Sequence, residues 1–286
     1  MAETYETSVP TADRQKLSLR GWEVADPRAV LVVTPGFADH AGRYSQFGQD
    51  LGARGYSTYV YDPRGHGRST GPRGHTPSWS ALVADQERVV AFLESQGKLK
   101  ARAGFLGSSM GALIALEWAL ANPARVRGLV LAGAVFELAF TPPPAKELLA
   151  RLAGALLPRL SQATGMRGSQ MSHDPIAVEA YDTDPLIHHV MSSRYYLEFR
   201  AAQLRLAGTA AQVAFPVLVL HGGADPVGRP EAAARWAAAV PRPWAEWKVY
   251  PGLKHEILNE LVRVRVVNDI AGWLDRKVPD HLQIGP

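Results

Sequence analysis

Residues 103–120 consist of a short apolar run, Ala103 to Leu106, then Gly107-Ser108-Ser109-Met110-Gly111, then the helix-forming stretch Ala112 to Leu120. A Gly-x-Ser-x-Gly segment between a strand and a helix reverses the chain within a few residues. It holds the middle residue, here Ser109, on a strained turn with its hydroxyl pushed outward. Side chains two positions to either side would collide across that turn, so glycine is needed at 107 and 111. A corner of this kind belongs at the carboxyl end of a buried strand, which directs the chain towards an α/β architecture.

The rest of the sequence keeps the same rhythm. Short β-rich runs at Ala29–Val33, Tyr56–Tyr61, Gly104–Leu106, Gly128–Ala132, Val217–Leu220 and Trp244–Tyr250 alternate with helix-period segments such as Ser80–Leu93. The alternation predicts a mostly parallel central sheet flanked by helices. With 286 residues, 47% hydrophobic and 20% charged, the chain suits one soluble unit with its own core. The rhythm breaks between about Glu137 and Gly208, where Pro142-Pro143-Pro144 ends a strand-like run and Lys146–Leu160 and Arg194–Leu206 read as helices. About seventy residues without a convincing strand exceed an ordinary crossover. The expected organisation is therefore a first core part over residues 1–136, a helical cap or lid over 137–208 and a second core part over 209–286.

A serine hydroxyl needs a base to become nucleophilic, and the base needs an orienting acid. His221-Gly-Gly-Ala-Asp225 follows the strand ending at Leu220, and Pro251-Gly-Leu-Lys-His255 follows the strand ending at Tyr250. Ser109, Asp225 and His255 thus each come just past a strand, in the chain order serine, acid, histidine. They are the expected catalytic triad, and activity is expected to fall on acidification through roughly pH 6 to 7, as an ordinary histidine titrates. The turn Pro35-Gly36-Phe37-Ala38 after the first core strand supplies one candidate oxyanion donor, the N–H of Phe37, and the N–H of Met110 supplies the other. Asp62-Pro-Arg-Gly-His-Gly-Arg-Ser69 reads as a structural turn.

Other chemistries find no support. The chain has no cysteine, which excludes disulfides, thiolate metal sites and a cysteine nucleophile. Thr70 stands where a dinucleotide fingerprint needs its third glycine, Arg229 where a P-loop needs lysine, and Asn259 where a zinc helix needs its second histidine. No cofactor and no metal are expected. The 31 basic residues are interspersed with 27 acidic ones and form no run, so no nucleic-acid partner is expected. Residues 1–10 lack the features of a signal peptide, and the longest uncharged apolar stretch, Gly128–Phe136, falls far short of the ~20 residues that span a bilayer. Cytoplasmic location is the default expectation.

Taken with Gly36 to Tyr44, Asp62 to Ser69, Tyr181-Asp-Thr-Asp184-Pro185-Leu186 and His255-Glu256, these motifs give the chain a family likeness. It resembles the monoacylglycerol lipase and lysophospholipase-like serine hydrolases of the α/β-hydrolase superfamily over nearly its whole length. The resemblance implies an α/β-hydrolase fold, a cap over a hydrophobic acyl tunnel, and Arg43 and Tyr181 at the polar glycerol end of the substrate. The implied activity is hydrolysis of acyl esters, monoacylglycerols foremost; a general esterase, lysophospholipase, thioesterase or small-amide hydrolase with the same triad, and a non-catalytic scaffold, are the alternatives. Three features depart from the family pattern: Pro35 stands where histidine is common, Leu258 stands where mammalian monoglyceride lipases have histidine, and with no cysteine the thiols that line the mammalian pocket have no counterpart. Apart from the resemblance, Leu148, Leu149, Leu152, Leu156 and Leu157 give the first predicted cap helix a wide apolar face, with Arg151 and Arg159 beside it. Leu149 and Leu152 are the expected contacts with substrate lipid, through a peripheral touch on membranes or lipid aggregates.

Overall fold

In the computed structural model, residues 2–99, 103–140, 150–154 and 156–277 are described. Eight strands form one sheet: β1 (Glu3–Pro10), β2 (Lys16–Glu23), β3 (Ala29–Thr34), β4 (Tyr56–Tyr61), β5 (Ala103–Ser108), β6 (Val126–Ala132) and, after two short strands β7 and β8 described below, β9 (Val217–Gly222) and β10 (Ala245–Tyr250). Their order is β1-β2-β4-β3-β5-β6-β9-β10. The pairings β1–β2 and β2–β4 are antiparallel, and every later pairing in this sheet is parallel.

Burial explains which strands were visible in the sequence. Every residue of β4 and of β9 is buried, because helices cover both faces there, and such strands read as continuous apolar runs. β1 is mostly exposed and polar, so the β1–β2 hairpin escapes an apolar-run reading. The period-2 geometry of the strands splits the core in two. Val32, Phe105, Leu129 and Val219 point to one face, where they meet α2 (Trp79–Ser95) and α3 (Met110–Ala121); Val33, Leu106, Val130 and Leu220 point to the other, against α1 (Ser45–Gly52) and the C-terminal helix Arg263–Lys277. α2 starts at Ser78, whose hydroxyl accepts from Ala81 N–H, and α3 is apolar on nearly every side because it is buried on nearly every side.

Between β6 and β9 the described residues add no strand to the main sheet. They form a small antiparallel ribbon, β7 (Ser161–Ala163) with β8 (Val190–Ser192), and the helices α4 (Gly168–Met171), α5 (Pro175–Thr183) and α6 (Ser193–Ala207). α6 matches the expected helix Arg194–Leu206. Of the expected helix Lys146–Leu160, residues 150–154 are helical, but Leu157 to Leu160 have already left the helix, and Lys146, Leu148 and Leu149 lie outside the described residues. The expectation of no strand here is corrected by β7 and β8, whose three residues each are too short to show alternation. The last two helices are α7 (Pro230–Ala239) and α8 (Arg263–Lys277). Parallel register brings the carboxyl ends of β3, β5, β9 and β10 to one edge of the sheet, so the loops carrying Phe37, Ser109, Asp225 and His255 converge there.

Candidate active site

Ser109 sits between β5 and α3 at φ 54° and ψ −120°, one of four non-glycine residues with positive φ among those described. Its surroundings show why the flanking residues are glycines. A methyl group on Gly107 would lie 2.4 Å from Ala112 Cα, and one on Gly111 would lie 2.2 Å from the carbonyl oxygens of both Thr34 and Pro35. The strain at Ser109 is held in place by its own N–H, which donates to Ala132 O at 2.8 Å.

The three expected triad residues meet. Ser109 Oγ lies 2.7 Å from His255 Nε2, and His255 Nδ1 lies 2.7 Å from Asp225 Oδ2. Asp225 and His255 are 7% and 5% exposed, so their charges are poorly screened by water. Burial alone would raise the Asp225 pKa, but the charges of His255 and His221 and the hydrogen bonds from both hold its carboxyl well below the usual carboxylate range. Burial likewise pulls the His255 pKa down, and here too it is outweighed: the charge and hydrogen bond of Asp225, helped by Glu256 and Asp39, raise it above the ordinary 6.5. The arrangement can strip a proton from Ser109 and hold it on an imidazolium.

Phe37 and Met110, the expected oxyanion donors, line one cavity together with Ser109. The Pro35–Ala38 loop approaches the serine closely, since a methyl on Gly36 would be 3.1 Å from Ser109 Cβ. The ring of Phe37 is braced edge-on by His66 at 5.5 Å, His188 at 5.0 Å and Tyr195 at 5.2 Å. The Asp62–Ser69 turn, read as structural, supports the same corner: Asp62 Oδ1 accepts from Ala41 N–H at 2.6 Å, Oδ2 accepts from Arg68 N–H at 2.7 Å, and buried Arg64 pairs with Asp85.

The cavity beside Ser109 has a volume of about 290 Å³. Its walls are largely apolar, with Leu138, Phe140, Met166, Met191 and Phe199 among them, and several of these come from the β6–β9 connection. Leu152 does not line it and is 53% exposed, while Leu149 lies outside the described residues. Arg43 and Tyr181 are brought together, but away from this cavity. The guanidinium of Arg43 donates to Glu256 Oε1 at 2.8 Å, to Glu256 Oε2 at 2.6 Å and to Asp39 Oδ1 at 3.1 Å, and it lies 5.5 Å from the ring centroid of buried Tyr181. Tyr44 donates to the other Asp39 oxygen at 2.9 Å. Asp184, from the Asp-Pro-Leu segment, meets His40 Nε2 at 3.0 Å and so ties the β6–β9 connection to the loop after β3. Sequence reasoning missed the cavity methionines, the partnership of Glu256 with Arg43 and the contact of His221 with Asp225. Only the four-residue spacing of His221 and Asp225 hinted at the last. Among the described residues no group of three or more His, Cys, Asp or Glu is placed to hold a metal ion, and no helix is long and apolar enough to cross a membrane.

Comparison with known proteins places this geometry in context. A family model described as "Serine aminopeptidase, S33" matches residues 25–262. A monoacylglycerol lipase of Mycolicibacterium smegmatis is 33% identical over 254 residues, covering 87% of this chain and 89% of that protein. Phospholipase YtpA of Bacillus subtilis is 26% identical, covering 90% of this chain and 99% of that protein. Among solved structures, the monoacylglycerol lipase of Paleococcus ferrophilus superposes with a TM-score of 0.80 at 26% identity, covering 96% of this chain and 99% of that one.

Proposed function

The chain belongs to the S33 serine aminopeptidase family of α/β-hydrolase enzymes, and on that premise we propose that it hydrolyses carboxylic esters of single-chain acyl lipids, monoacylglycerols foremost, through Ser109, His255 and Asp225. The observation that carries the reading is the continuous relay of two 2.7 Å contacts from Ser109 through His255 to Asp225 at the mouth of an apolar cavity. Ser109 Oγ attacks the ester carbonyl while His255 Nε2 takes its proton, and Asp225 holds the imidazole tautomer and stabilises the cation. The N–H groups of Phe37 and Met110 receive the oxyanion, and His255 returns the proton to the departing alcohol. Water then repeats the cycle on the acyl-enzyme. The cavity takes the acyl chain, and residues 137–208 act as a cap that supplies much of its wall. The similarity to lipases acting on monoacylglycerol supports this substrate class, and the similarity to a phospholipase favours lysophospholipids as the second.

Purified protein and its Ser109→Ala variant, assayed side by side on medium- and long-chain monoacylglycerols, a lysophospholipid and short p-nitrophenyl esters, test the reading. Serine-dependent turnover favouring monoacylglycerol is the expected result. Turnover of the short esters alone leaves the triad standing and removes the lipid assignment. Phe140, which lines the cavity, and Leu152, Leu156, Leu157 and Leu160 of the β6–β9 connection are exposed, and through these side chains the cap rests on lipid aggregates. Liposome flotation of the parent protein against Leu152→Asp checks this, and parent protein that stays unbound removes the idea.

A further inference from the structure

His221 has no role in the reaction as written, yet it touches the triad. It is the fifth residue of β9, and it is fully buried. Its Nε2 lies 2.9 Å from Asp225 Oδ2 and 3.3 Å from the carbonyl oxygen of Gly228. Both neighbours only accept, so Nε2 carries the hydrogen and donates it. Its Nδ1 is buried with no partner. Packing alone gives no reason for a ring with one orphaned nitrogen at this place, because an apolar side chain fills such a site without that cost. What the imidazole supplies is the donor.

We propose that His221 is a positioning residue for the triad acid, donating Nε2–H to the same oxygen of Asp225 that takes Nδ1–H from His255 and thereby fixing the direction and the basicity of that carboxylate. The inference rests on the triad reading above. Asp225 is then held by four donors: the N–H groups of Val227 at 2.7 Å and Gly228 at 3.0 Å on Oδ1, and the two imidazoles on Oδ2. The amides pin one oxygen to the turn, and His221 fills the remaining direction at the other, so that the carboxylate plane cannot swing away from His255. A second donor on Oδ2 also draws off part of the negative charge that His255 feels. The other charged groups facing His255 are Glu256 and Asp39, both paired with Arg43, whereas the side chains that partner Asp225 are the two histidines. The charged group facing His221 is Asp225; the Gly228 carbonyl and, at 6.4 Å between ring centroids, Trp247 are uncharged.

Removing the donor has a calculable sign. With His221→Leu, Oδ2 keeps more negative charge, the His255 imidazolium is favoured, and the acid limb of kcat/KM moves to higher pH. Activity at neutral pH falls by about 10–100-fold, the scale of loss when the hydrogen-bond partner orienting a metal-bound ligand is removed, carried over to the triad acid. His221→Gln, whose amide nitrogen can stand where Nε2 stood, recovers most of the rate and returns the limb towards its original pH. A merely structural histidine lowers thermal stability without moving the limb and without selective rescue by glutamine. Nitrogen-15 NMR of the wild-type protein gives a readout that needs no variant: the proton of His221 is expected on Nε2, protected from solvent, and a proton on Nδ1 instead overturns the proposal. So does a folded Leu variant with the parent's rate and pH profile. Fluorophosphonate labelling separates the two readings. A wild-type protein that labels at Ser109 and turns over ester, beside an unperturbed Leu variant, removes His221 alone; a wild-type protein that neither labels nor turns over removes the triad beneath it.

Discussion

Gly111→Ala tests whether the serine corner and the oxyanion loop are packed as tightly as the geometry requires. The added methyl would lie 2.2 Å from two carbonyl oxygens, those of Thr34 and Pro35, and neither can rotate away because both belong to the main chain leaving β3. Ordinary contact begins near 3.4 Å, so the amino end of α3 and the loop carrying Phe37 must part by roughly 1 Å, a displacement that at a reacting centre costs about 100-fold. That corresponds to about 2.7 kcal/mol of transition-state stabilisation. The two proposed oxyanion donors, the N–H groups of Phe37 and Met110, sit on the two bodies being pushed apart, so the expected loss falls on kcat more than on KM. Steady-state kinetics on a short p-nitrophenyl ester measures it, with thermal melting run in parallel. Gly208→Ala is the control, since its methyl meets only Arg205 O at 3.6 Å. A Gly111→Ala enzyme that melts normally and keeps the parent's kcat shows that the corner has slack, and the argument from close approach is then wrong.

The acid limb of kcat/KM should lie above pH 6.5, because Asp225 favours the imidazolium of His255, which cannot act as base, and the fraction of neutral base falls as pH drops through the raised value; a limb below 6.5 contradicts this. Arg43→Met leaves Asp39 and Glu256 as buried carboxylates without their shared cation, a change that costs about 3–5 kcal/mol and lowers the melting temperature. Adding Glu256→Gln to that variant should restore part of the loss. Burial pushes the His66 pKa down to about 3 and the His188 pKa down to about 4. Below pH 6.5 the unfolded chain therefore takes up protons that the folded chain refuses, and stability falls progressively as the pH drops towards those values. Urea midpoints between pH 7 and pH 4 measure the trend, which His188→Phe should flatten.

How far the sequence could be read depended on how local each constraint is. Ser109 and its two glycines were legible because the clash that demands them lies within one corner, or one strand away. Asp225 and His255 were legible because a parallel sheet puts the ends of its strands on one edge, so a residue just past a strand has a known address. The β1–β2 hairpin was not, because Val9 alone of its outer strand is fully buried, too little to impose an apolar pattern, and β7 and β8 were too short to carry one. Arg43 was legible as a position, but its partners were not. Its partner Glu256 lies 213 residues away, and nothing at either site announces the pairing until the sheet closes. Once closed, three of the five N–H donors of the guanidinium are taken by two carboxylates of the same chain. Glu256 and Asp39 both act on His255, so Arg43 cancels negative charge beside the proposed base, and in the proposed reaction a grip on a substrate's hydroxyls is left to the two donors that remain.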